Sequence, residues 1–176
     1  MKQPSSDWKQ SFSALFHPAV KKYQGGHTKA RGLVNAKGAK FLASIGYSEQ
    51  EFFDFIEDFA KAGEPTLATA LKIAAVRRDY FLKEQKGKPS PHRVSMEKLP
   101  SKDAVLGGIK WLPRIIVKAE AKLRGEMPPE LMYSCGGDRR FLKEYHLKPA
   151  DFLKTVWKAQ GKKAEIVAWV KAKAKS

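Results

Sequence analysis

Apolar residues along this chain recur mostly at spacings of three and four, the period of a helix buried on one side. The clearest stretch opens at Ser48-Glu-Gln-Glu51, where a hydroxyl and a carboxylate three residues on can satisfy each other's backbone donors. Behind it Phe52, Phe55, Ile56 and Phe59 share one stripe, with Phe53 beside it, and the pattern predicts a helix from Ser48 to about Lys61. Gly63 supplies a stop, and Pro65 suits the first turn of a next helix that runs to Glu84. That segment carries Leu67, Ala70, Leu71, Ile73, Ala74 and Val76 on most of its faces, so it is expected to be central and buried.

The stretch 86–105 is poor in apolar residues and holds Pro89, Pro91 and Pro100. It divides the chain into an N-terminal helical unit over 1–88, a linker over 89–105 and a C-terminal helical unit over 106–176. In the second unit Pro113 opens a helix that Gly125 closes, and Asp138 is placed to cap a short helix from Arg139 to Tyr145. Pro149 starts another, to about Gln160, with Phe152, Leu153, Val156 and Trp157 as its apolar face. The last carries Ile166, Val167, Trp169 and Val170. The expected fold class is all-α, a compact helical domain built from two similar helical units.

The similarity rests on anchors in matching order. Phe41-Leu42 recurs as Phe141-Leu142, Glu51-Phe52-Phe53 as Asp151-Phe152-Leu153, and Ile56 as Val156. Lys29-Ala-Arg-Gly32 pairs with Lys122-Leu-Arg-Gly125, which gives the second copy an insertion holding Met127-Pro-Pro and Cys135-Gly-Gly. Loops added to a scaffold often carry function.

Charge changes this picture. Thirty-four Lys and Arg against 18 Asp and Glu leave a net charge of +16, which attracts anionic small molecules, acidic proteins or nucleic acid. The exception is the acidic helix of Glu49, Glu51, Asp54, Glu57 and Asp58, of which Glu57 or Asp58 is expected to pair with Arg77 or Arg78. One cysteine, Cys135, permits no internal disulfide and fits a reducing compartment. With no secretory apolar region and no apolar run near the ~20 residues of a membrane helix, the expected location is the cytoplasm, without a membrane partner. Oligomeric state is left open.

On the helix after Pro113, Arg114, Lys118 and Lys122 recur every four residues and so share a face, read as an anion-binding strip. Arg114 lies in the first turn, where unpaired backbone N–H groups favour an anion. Gly107 and Gly108 precede it and would let backbone approach a ligand closely, with Trp111 alongside. Gly136 and Gly137 can form a nest of donors, Arg139 can add bidentate contacts, and Asp138 at the helix cap would compete with the anion. Cys135 is read as a small buried residue, with His146 the nearby base were it a nucleophile. No phosphate-binding, dinucleotide-binding or hydrolase motif occurs, and the four histidines lack metal-ligand spacing, so no catalytic residue, metal or cofactor is expected.

The segment from Leu106 to Gly125 carries a glycine pair, Leu112-Pro113-Arg114, Lys118-Ala-Glu-Ala and a closing glycine. Together with Asp138, Phe141-Leu142 and Ala168-Trp169-Val170, it resembles the bacterial family of domains of unknown function numbered 5069 over about 99–170. The resemblance implies a small helical bacterial domain whose motif residues correspond to Gly108, Leu112, Pro113, Arg114, Lys118 and Asp138; it implies no activity. The N-terminal half reads as a divergent repeat or an extension. The expected function is a non-enzymatic binding or adaptor protein that recognises an anionic ligand. The alternatives are a nucleic-acid-binding protein using the basic surface, and an enzyme acting on a phosphorylated small molecule with Asp138 or His146 as acid/base. A more structural alternative docks the acidic helix on the basic face of a second copy.

Overall fold

Amphipathic helices carry the architecture of the computed structural model, which describes residues 7–175. Among them are eight α-helices and one two-stranded hairpin, and the chain divides into two compact units between Pro89 and Ser90. The all-α expectation holds.

The first unit comprises α1 (Asp7–Gln24), α2 (Ala36–Ser44), α3 (Glu49–Ala62) and α4 (Leu67–Lys83). At the start of α3 the Ser48 hydroxyl accepts the Glu51 N–H and the Glu51 carboxylate accepts the Ser48 N–H, the reciprocal cap that the sequence predicts. Gly63 ends the helix in the left-handed conformation, φ 72°. α4 begins two residues later than Pro65: Thr66 takes the cap because its hydroxyl can accept the Thr69 N–H, which a proline cannot do. The core is aromatic. Phe12 of α1 meets Phe52 of α3 edge to face at 5.3 Å, and Phe16 meets Phe59 at the same separation. Arg77, buried on α4, donates to Gln85 Oε1 at 2.8 Å and lies over the Phe81 ring. The sequence reading included neither α1 nor α2; α1 contains Pro18, which occupies an exposed position and costs the helix one internal hydrogen bond.

The second unit holds the hairpin β1 (Val105–Leu106) and β2 (Ile109–Lys110), then α5 (Leu112–Arg124), α6 (Gly136–Glu144), α7 (Pro149–Ala159) and α8 (Lys163–Ala174). Ile115, Ile116 and Ala119 of α5, Phe152, Leu153 and Val156 of α7, and Ile166 and Val170 of α8 are buried and form its core. The stretch read as a linker is bonded onto this unit. The Val94 N–H donates to Glu126 O, Ser90 Oγ donates to the Glu126 carboxylate at 2.7 Å, and Leu99 is buried.

Three helices of each unit fall at an offset of 100 residues, whereas α4 and α8 begin at Leu67 and Lys163. α2 and α6 begin at Ala36 and Gly136, α3 and α7 at Glu49 and Pro149, and α1 and α5 end at Gln24 and Arg124. The connecting hydrogen bonds repeat at the same offset: Tyr47 N–H to Leu42 O and Leu147 N–H to Leu142 O, then Phe52 N–H to Ser48 O and Phe152 N–H to Lys148 O. This corrects the expected insertion. Lys29–Gly32 lies in the loop after α1, whereas Lys122–Gly125 closes α5, so that anchor was out of register and the two intervening loops are equally long.

Glu126 fastens residues 90–94. Burial raises its pKa, but hydrogen bonds from Arg124 and Ser90 and the charges of Arg124 and His92 outweigh burial and hold it below the ordinary 4.5. A depressed carboxylate pKa contributes stability that is present above the ordinary value and is lost as pH falls through the folded one. Glu126→Gln is therefore expected to lower the thermal midpoint at pH 7, and the gap from the unaltered protein should narrow as the pH falls below 4.5 through the folded value. A gap that persisted unchanged to pH 3 would show that the tether does not depend on ionisation.

Candidate functional site

Asp138 is the third residue of α6 and is completely buried. The helix starts three residues earlier than the sequence suggests, with Cys135 at the cap, so Asp138 lies in the first turn rather than capping it. From there its carboxylate folds back. Oδ2 accepts the Ser134 N–H at 2.9 Å and lies 2.5 Å from Lys118 Nζ, while Oδ1 accepts the Trp111 indole N–H at 3.0 Å. Lys118 is 2% exposed and also reaches Cys135 Sγ at 3.2 Å. A buried carboxylate needs such compensation, and three donors with one full positive charge supply it.

Two of those donors come from residues in the left-handed region, Trp111 at φ 72° and Ser134 at φ 66°. Each such non-glycine residue costs on the order of 1–3 kcal/mol and persists only where its surroundings over-determine it. Trp111 is over-determined. Its indole is bonded to Asp138, and its ring lies so close to Gly137 that a Cβ there would come within 2.7 Å of it. Tyr133, next to this loop, has its pKa raised well above the ordinary value by burial and then by the Asp138 charge, so it stays protonated and donates to Pro149 O at 2.8 Å.

Around this cluster lies a cleft of about 580 Å³. Of the ten residues singled out from the sequence, Trp111, Arg114, Lys118 and Gly137 line it. Arg114 donates one guanidinium N–H to Pro100 O at 2.8 Å and lies 6.0 Å from the Trp111 ring. The other six sit elsewhere. Lys122, expected with Arg114 and Lys118 on an anion-binding strip, is 4% exposed, so the four-residue stripe is largely interior. Gly107 and Gly108 form the two-residue turn of the hairpin, both with positive φ. A Cβ on Gly107 would come within 2.5 Å of Val167, so the close backbone approach it permits is to α8 and not to a ligand. Gly136 is exposed at the start of α6, and Asp138 lies behind the cleft wall. Arg139 donates to Ser134 O at 2.7 Å and so holds the loop.

Arg140 takes the cleft position expected of Arg139. Helical spacing could have found it, since Gly137, Arg140, Phe141 and Glu144 all line the cleft and fall at the period of one helix face. Met96, Lys102, Leu131 and Met132 also line it, and no local signal marks them; only the folding of 90–104 and 126–135 around α5 brings them there. His146 is exposed just beyond α6 and Asp138 lies behind the cleft wall, so neither residue that the enzyme alternative offers as acid/base lines the cleft. Among the described residues no group of three His, Cys, Asp or Glu is disposed to hold a metal ion, and no helix is long and apolar enough to cross a membrane.

Residues 96–176 match the family model described as "Domain of unknown function (DUF5069)". The matched segment contains the whole cleft and the Asp138 cluster. No curated protein and no solved structure matches the chain. The first unit lies outside the DUF5069 match and lacks the cluster. At the offset of 100, Ser11, Pro18, Val34, Asn35 and Gly38 stand where the second unit has Trp111, Lys118, Ser134, Cys135 and Asp138.

The ion pair can be tested by its coupling. Removing one partner of a buried pair leaves the other uncompensated and costs about 3–5 kcal/mol. Lys118→Met and Asp138→Leu are each expected to lose that much, and the double variant much less than their sum, measured by urea unfolding in a double-mutant cycle. Additive losses would show that the two side chains do not share one interaction.

Proposed function

We propose that the second unit binds a small anionic molecule in the cleft beside α5 and α6, and that the protein acts as a binding module rather than a catalyst. The observation that carries this reading is the cleft-side cluster, which the helical scaffold does not need. A first unit with the same helix spacing has Pro18 and Gly38 at the positions of Lys118 and Asp138. Buried ion pairs contribute little net stability once desolvation is counted, so this one serves geometry. It sets Trp111 and the Ser134–Gly137 loop around a cavity onto which Arg114 and Arg140 converge.

Arg114 keeps four of its five N–H donors beyond the bond to Pro100 O, enough for a bidentate grip on a carboxylate or phosphate. Arg140 is exposed at the cleft's edge and supplies a second cation without internal commitments. The net charge of +16 draws anions toward the molecule from a distance. We read the two halves as copies of one helical unit, the second having acquired the site, and we place the protein in the bacterial cytoplasm on the strength of the family resemblance and the single unpaired cysteine.

Titration calorimetry with inorganic phosphate tests the reading. Arg114→Ala and Arg140→Ala should each weaken binding about tenfold, the loss of one charge-assisted contact. Arg140→Ala should leave the thermal midpoint unchanged, because the side chain is exposed. Equal affinity in the unaltered protein and both variants would mean that phosphate only decorates the basic surface.

A further inference from the structure

The cleft carries more than cations. Trp111, Leu131, Met132 and Phe141 give it apolar walls, and Met96 stands at its mouth with 41% of its surface uncovered. A bare inorganic anion would leave these walls wet. Small-molecule sites are mostly apolar with a few placed polar groups and occupy about 300–1,000 Å³, and this cleft fits that description. Methionines at two positions add a wall that can adjust to the shape of an apolar body.

Charge at the rim narrows the class further. Glu130 and Glu144 stand there with Lys102 and Arg140, all four exposed, so the mouth is electrically balanced although the protein is strongly basic. Two carboxylates repel a polyanion such as a nucleic-acid backbone. Farther in, Lys118 is already neutralised by Asp138, which leaves the Arg114 guanidinium as the inner cation. A planar guanidinium fork matches one carboxylate.

Resting on the anion-binding reading, we propose that the cleft's ligand is an organic monocarboxylate with an apolar body. The carboxylate is held by Arg114, and the body is laid between Trp111 and the methionine-lined wall. Cys135, the chain's single cysteine, lines the same cleft and is half-exposed, so it reports occupancy.

The experiment titrates the full chain with acetate, butyrate, hexanoate and octanoate by calorimetry. In parallel it follows alkylation of Cys135 by iodoacetamide with mass spectrometry. Affinity is expected to rise about three- to fourfold per methylene until the walls are covered. Hexanoate and octanoate should slow alkylation, and 1-octanol should not match octanoate. Met96→Ser, at an exposed position, should flatten the upper end of the series while leaving acetate unchanged, and Arg114→Ala should weaken every member. A series that stays flat, with phosphate binding still sensitive to Arg114 and Arg140, overturns the ligand class and leaves the anion-binding reading standing. Failure of every carboxylate and of phosphate to bind or to protect Cys135 overturns both. Stronger protection of Cys135 by a short oligonucleotide than by octanoate overturns the monocarboxylate in favour of a polyanion.

Discussion

One carboxylate organises the second unit. Asp138 gathers an ammonium, an indole N–H and a backbone N–H from three separate stretches of chain, centred on Lys118, Trp111 and Ser134. Each of those stretches departs from what it would do alone. Trp111 and Ser134 adopt left-handed backbone angles, and Lys118 gives up solvent. The desolvation of two charges consumes most of what their attraction returns, so the pair adds little to net stability. Its effect is positional: it fixes the aromatic wall and the loop that frame the cleft.

The two units show what the scaffold needs and what it does not. Both pack a long first helix, α1 or α5, against the third, α3 or α7, and three helices of each share one spacing with repeated loop hydrogen bonds. In the first, α1 presents Phe12, Phe16 and Ala19 to the core, and Pro18 and Lys22 face solvent. In the second, α5 buries Ile115, Ile116 and Ala119, and Lys118 and Lys122 as well. The apolar faces are built alike. The difference lies in the extra cover over the polar face of α5, and the Asp138 cluster belongs to that cover.

That difference sets what the sequence could reveal. Helix periodicity, the Ser48–Glu51 cap and the stops at Gly63 and Gly125 are local signals, and they led to the right helices. α1 and α2 were not among them; in α1 a proline at an exposed position looks the same in sequence as one that breaks a helix. Arg114, Lys118 and Lys122 at spacing four read as an accessible anion-binding strip. At Lys118 and Lys122 the reading failed because burial was decided by a loop and a carboxylate distant in sequence. The glycine pair before α5 promised a ligand contact on local grounds, yet its neighbour is Val167, sixty residues on. Arg114 and Trp111 were legible as neighbours in one cleft because the helix start and the adjoining aromatic are adjacent in sequence. Met96, Leu131 and Met132 were not, since nothing local marks a residue that becomes a wall only by tertiary folding.

A net charge of +16 suggests a surface made for polyanions, but the cleft does not share that character. Its rim carries acids and bases in equal number, and its walls are largely carbon. Long-range attraction and local selectivity therefore act at different scales. The summed charge governs how often an anion arrives, over a Debye length of about 10 Å at moderate salt. On the proposed reading, what stays is governed within a few ångströms by the guanidinium groups of Arg114 and Arg140 and by apolar surface that gains from being covered. A polyanion satisfies the first condition and is opposed at the second by Glu130 and Glu144. An ion with one charge and a hydrocarbon body satisfies both, and on the proposed reading the basic surface serves encounter and the cleft discrimination.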